Sequence, residues 1–149
     1  MQLEKELQQK TPFASINQKT MVNIFYTHGW LMNEMKQFLK PHDITMQQYN
    51  ILRILKGANK PISTSVIRER MIDKMSDTTR LITRMIKKSL VSKITCPSDK
   101  RLVDIQITDI GLSVIERVNY DMHKMEKNLD NLSYTEMEEL NILLDKLRG

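Results

Sequence analysis

Three observations predict a mostly helical α+β fold. Glycine and proline number four each in 149 residues, which favours long helices over many turns. Apolar residues recur at helical spacing along most of the chain, and Ile115, Val118, Met122, Met125, Leu129 and Leu132 alternate three and four apart, a heptad seam of the kind at which helices pair. Strict alternation is confined to one short stretch, where Val103, Ile105 and Ile107 share one face and Asp104 and Gln106 the other.

The elements follow in order. Residues 1–12 are polar, end at Pro12, and read as a tail or a frayed first turn. From about Ile16 to Lys40 the pattern is helical. Ile24, Leu31 and Phe38 form one stripe, and Met21, Phe25, Met32, Met35 and Leu39 a second, so two buried faces are expected. Pro41 ends this helix. Thr45 with Gln48 makes a capping box for the next, which carries Tyr49, Leu52 and Leu55 and stops at Gly57. A short helix runs from near Ser63 to about Met71, followed by a turn over Ile72–Met75. Ser76 then caps a helix through about Lys88, with Asp77 near its positive end. Leu90–Thr95 and Leu102–Ile107 are two short strands around the polar turn Cys96–Arg101. Thr108 caps the seam-bearing helix, and Ser133 with Glu136 caps a last helix with Met137, Leu140, Leu144 and Leu147.

Two short helices about one turn apart, then a hairpin, make a winged helix-turn-helix with a two-stranded β wing. The expected organisation is a single domain over 1–149, with the winged helix-turn-helix at 45–107 and dimerisation helices at 13–40 and 108–149. Charge follows the same division. Between Lys60 and Arg101 stand eleven Lys and Arg against four acidic residues, a net +7, which leaves −2 for the rest of a chain of net charge +5. A basic middle between near-neutral flanks points to a polyanion partner; its alternative is an ordinary solvated basic surface.

Other chemistry finds little support. One cysteine excludes an intramolecular disulfide and a Cys-rich zinc site. His28, His42 and His123 lack metal-ligand spacing, and no Gly-rich phosphate loop or nucleophile elbow occurs, so no enzyme, metal or cofactor is expected. The opening MQLEKELQQK has no apolar signal core and no run approaches the ~18 apolar residues of a membrane span, so a cytoplasmic location is expected.

Three stretches resemble the MarR family of bacterial transcription regulators. Ser76-Asp77-Thr78-Thr79-Arg80-Leu81-Ile82-Thr83-Arg84-Met85-Ile86-Lys87-Lys88-Ser89-Leu90-Val91 is similar to that family's recognition helix and its exit into the wing; Pro97-Ser98-Asp99-Lys100-Arg101 to its wing tip; and Ile107-Thr108-Asp109-Ile110-Gly111 to the Leu-Thr-x-x-Gly after the wing. The resemblance covers roughly residues 45–116. One departure stands out: Ser89 occupies the place of a usual Gly, so either Ser adopts a left-handed conformation at a cost of about 1 kcal/mol or the helix ends differently.

In a recognition helix, Leu81, Ile82, Met85 and Ile86 anchor the domain side, while Thr79, Arg80, Thr83 and Arg84 face the groove, with Ser76 and Thr78 at the leading turn. Lys87 and Lys88 read as phosphate contacts or plain surface. Lys93, Lys100 and Arg101 are the expected DNA contacts of the wing, Arg101 reaching the minor groove, and Asp99 orients Arg101 or caps the turn, as the family pattern implies. The resemblance further implies a homodimer on a pseudo-palindromic operator and a small-molecule effector site of unassigned residues. Phe25, Tyr26, His28 and Trp30 lie where such a pocket forms, though core packing explains these aromatics better; Cys96 reads as an inert surface thiol. The expected function is a ligand-responsive, sequence-specific repressor; the alternative is a winged-helix protein–protein adaptor without DNA binding.

Overall fold

The computed structural model describes residues 2–95 and 103–149. A four-residue helical turn, α1 (Leu3–Glu6), precedes the long helix α2 (Ile16–Leu39), which passes through a 3-10 turn (Lys40–His42) into α3 (Met46–Ala58). The strand β1 (Ile62–Ser63) leads into α4 (Thr64–Arg70) and α5 (Thr78–Lys87). The hairpin β2 (Val91–Thr95) and β3 (Val103–Ile107) precedes α6 (Asp109–Glu126), a 3-10 turn (Lys127–Leu129) and α7 (Tyr134–Arg148).

The core is built around α3. The Thr45–Gln48 capping box forms as expected and satisfies two backbone donors at the start of α3. Ile51 and Leu52 are fully buried and Leu55 nearly so, each side chain contributing about 1.5–3 kcal/mol by leaving water. Ile67 of α4, Ile82 and Met85 of α5, Ile105 of β3 and Ile115 and Val118 of α6 close around them. Only the end of α2 joins this cluster: Leu39 is buried, with Met35 and Phe38 packed against it.

Several boundaries differ from the sequence reading. The sheet has three strands, not two, because β1 pairs antiparallel with β3, Ile62 opposite Ile105 and Ser63 opposite Asp104. A two-residue strand carries no alternation to detect. Helix α3 runs past Gly57 and ends at Asn59, whose left-handed φ of 51° closes it. The heptad seam does not continue on one helix: α6 stops at Glu126, and Leu129 lies in a 3-10 turn with 40% exposure. The polar start holds more than a tail, since Leu3 is buried and Glu4 pairs with Lys19 of α2 at 2.5 Å.

The largest departure concerns α2. Its two stripes are not both covered: Met21 is 55% and Phe25 72% exposed, and Tyr26 and Trp30 are also open. Core packing therefore does not account for these aromatics within one chain. Helix α7 is similar, with no buried residue and Ile142, Leu143 and Leu147 exposed. Ile16, Ile24 and Leu31 of α2 face Leu140 and Leu144 of α7 across an open groove of about 460 Å³. Among the described residues, no helix is long and apolar enough to cross a membrane.

Candidate nucleic-acid interface

Helix α5 separates its two faces sharply. Ile82 and Met85 are buried, Leu81 and Ile86 half-buried, whereas Thr79, Arg80, Thr83 and Arg84 are exposed. Residues three and four apart share a helix face, so the four polar side chains form one patch. Thr83 donates its hydroxyl proton to the Thr79 carbonyl at 2.9 Å, leaving its methyl group and oxygen lone pairs outward. Arg80, Arg84 and Lys87 have no ion-pair partner among the described residues. Their charge therefore faces solvent.

The start of α5 lies one residue later than the sequence suggests. Asp77, not Ser76, is the cap: its Oδ1 accepts the Arg80 N–H at 3.0 Å. Ser76 donates its hydroxyl to Asp73 Oδ2 at 2.7 Å and is occupied within the preceding turn. Thr78 is buried, 3% exposed, so this side chain, expected among the DNA contacts, packs inward.

The end of α5 shows how Ser89 is accommodated. Its φ is 57°, in the left-handed region. Ser89 N–H donates to the Ile86 carbonyl and Leu90 N–H to the Met85 carbonyl, both at 2.9 Å. This is a Schellman motif with Ser where Gly is usual, and the buried Leu90 and Met85 provide its apolar contact. Of the two outcomes the departure allowed, the left-handed one holds.

The following motif fixes the wing to this exit. Thr108 Oγ1 caps α6 by accepting the Gly111 N–H at 3.0 Å and donates to the Ser89 carbonyl at 2.6 Å. Thr108 N–H donates to the Leu90 carbonyl at 3.2 Å. At Gly111 an added Cβ would stand 2.2 Å from that same Leu90 oxygen, so only glycine lets α6 approach. In the wing, β2 and β3 pair with Val91 opposite Ile107, Lys93 opposite Ile105 and Thr95 opposite Val103, and Lys93 is exposed. Asp99, Lys100, Arg101 and Cys96 lie outside the described residues.

Lys88 is not plain surface. Its Nζ lies 2.9 Å from Asp43 Oδ2 and donates to the Asp43 carbonyl at 2.6 Å. Next to Asp43, His42, with 10% side-chain exposure, sits 3.5 Å from Asp121 of α6 and against Phe38. Lys124 in particular, and burial-opposed charge from His42 and His123, hold the Asp121 carboxyl below its ordinary range. Among the described residues no group of three or more His, Cys, Asp or Glu could hold a metal ion.

A three-helix core with β1, β2 and β3, an outward cationic helix and a hairpin behind it define a winged helix-turn-helix protein. The profile of the MarR family matches residues 44–103, from just before α3 to the start of β3. The transcriptional repressor IacR of Pseudomonas putida is 29% identical over 119 residues, 79% of this chain and 71% of that protein. A MarR variant from Escherichia coli, solved in complex with operator DNA, superposes over the whole of both chains with a TM-score of 0.77 at 22% identity. The organohalide-sensing regulator RdhR-CbdbA1625, solved with 2,4-dichlorophenol bound, gives 0.84 at 17% identity, covering 94% of this chain and 86% of that one. The likeness is to MarR-family transcriptional regulators, carried by the match over residues 44–103 and by relatives aligned over most of the chain.

Proposed function

We propose that this protein is a sequence-specific double-stranded-DNA-binding transcriptional regulator, a ligand-responsive homodimeric repressor acting at a pseudo-palindromic promoter site in the cytoplasm. The observation that carries this reading is α5, one face buried in the core and the other a patch of Thr79, Arg80, Thr83 and Arg84 open to solvent. Arg can bond guanine bidentately and Thr can meet a thymine methyl or a phosphate. Lys93, Lys100 and Arg101 of the wing reach the adjacent backbone and minor groove, with Asp99 supporting Arg101. An adaptor without DNA binding has no use for an unpaired cationic patch of this kind.

The open apolar surfaces of α2 and α7 support a two-fold dimer, in which a second copy covers them and the two winged helices, spaced about one helical turn of DNA apart, read two half-sites. The dimerisation elements are then α2, the end of α6 and α7. A repressor is named among the relatives and a ligand complex among the structural neighbours. A cleft of about 400 Å³ between α2 and the turn before α5, lined by Met32, Met46, Met71 and Ile72 with His28 and Lys74, suits an effector at that junction.

Selection of bound duplexes from a random pool, followed by anisotropy titration across salt, tests the reading. The selected site is a pseudo-palindrome, and log affinity falls by about 0.9 per log unit of salt for each phosphate contacted. A flat salt response overturns it.

A further inference from the structure

Polar contacts flank helix α5, one from the turn before it to α3 and one from its C-cap to the turn that leads into α3. At the leading end, the buried Asn50 of α3 accepts the Ile72 N–H on Oδ1 at 2.8 Å, fixing the turn between α4 and α5. The next residue, Asp73, organises the rest of that turn: its carboxylate accepts the Met75 N–H at 3.0 Å and the Ser76 hydroxyl at 2.7 Å. Asp77 then caps α5. At the trailing end, Lys88 binds both the carboxylate and the carbonyl of Asp43, two residues before the Thr45 cap of α3. Between these ends the contact is apolar, through Ile82 and Met85.

Apolar contacts are non-directional. They decide which face of α5 turns inward but hold its tilt loosely. Hydrogen bonds tolerate only a few tenths of an ångström. The two attachments thus add directional restraint on either side of the ten-residue α5, at the turn before it and at its C-cap. Reading base edges demands a helix held to about 0.5 Å and 10–20°.

We propose that Asn50 and Lys88 are positioning residues for operator recognition, holding the turn that leads into α5 and the C-cap of α5 against α3 and its lead-in without touching DNA. The inference rests on the DNA-binding reading and assigns Lys88 away from the phosphate contacts.

Three variants test it: Asn50→Leu, Lys88→Met and Asp43→Asn. Each is measured for affinity to the selected operator and to an unrelated duplex, across salt, with thermal unfolding as a folding control. The tethers predict that Asn50→Leu and Lys88→Met lower the ratio of specific to non-specific affinity about tenfold, with the salt slope unchanged. Asp43→Asn is decisive. It keeps a residue type tolerant of the left-handed φ of 53° and lowers the ratio if Lys88 is a tether. If Lys88 instead contacts phosphate, removing the competing anion raises affinity for every duplex, and Lys88→Met reduces the salt slope by about 0.9; that pair of results overturns the proposal, as does an unchanged ratio in Asn50→Leu. Hydrogen exchange on the free protein gives a DNA-independent readout: Asn50→Leu accelerates exchange at the Ile72 amide while α3 stays protected. A wild-type chain that prefers no duplex overturns the DNA reading itself, and the exchange result still reports whether the tether exists.

Discussion

The winged-helix body and the helical arms use the same kind of residue for opposite ends. In the body, α3 alone buries six residues, and its apolar positions meet partners from α4, α5, α6 and the sheet. In the arms, α7 buries none and α2 buries only Leu39, although both carry apolar stripes at helical spacing. Periodicity states that a face is to be covered; it does not state by which molecule. The body satisfies its pattern internally, whereas the arms present theirs outward, where the proposed dimer places a second copy.

The sharpest way to break this contrast is to charge the arms. Phe25→Asp combined with Leu143→Asp is expected to give a folded monomer by sedimentation and to weaken operator binding by about 100-fold or more, since two linked reading heads become one. If the double variant stays dimeric, the arms are not the interface. In the body the same kind of disruption costs stability instead: Met85→Ala leaves a cavity under α5 and lowers unfolding free energy by about 2–5 kcal/mol in a denaturant titration. Gly111→Ala forces its new methyl against the Leu90 carbonyl and is expected to cost about 1–3 kcal/mol, seen as a lower thermal midpoint. Arg84→Ala leaves stability alone and weakens operator binding by about 1–3 kcal/mol, with the specificity loss confined to one position of each half-site. Smallest is Ser89→Gly, which relieves a left-handed non-glycine residue and is expected to stabilise by up to about 1 kcal/mol.

Much of the body was legible in the sequence because its signals are local. The capping pair Thr45 with Gln48 lies three residues apart and forms as read, as does Ser133 with Glu136 on the arm helix α7. The inward and outward faces of α5 follow from spacing alone. Long-range features were not legible. Nothing near Ile62 and Ser63 shows that they extend the sheet, because the pairing is made with residues more than forty positions away. Asn50 gave no sign of its bond to Ile72, and Asp43 none of its pair with Lys88. Thr78 packs inward because it lies four residues before Ile82 and seven before Met85, on the buried face of α5. The alternation of Val103, Ile105 and Ile107 shows the faces of β3 but not the third strand beside it.

The junction around Leu90 has a consequence for how the molecule comes apart. Its amide closes the end of α5, its carbonyl receives the wing-to-α6 connection, and its oxygen rests on Gly111. Three elements thus share one residue's backbone, and none can fray without loosening the other two. On heating, the reading head should melt in a single cooperative step, sharp in a calorimeter, and independent of protein concentration wherever the arms have already let go.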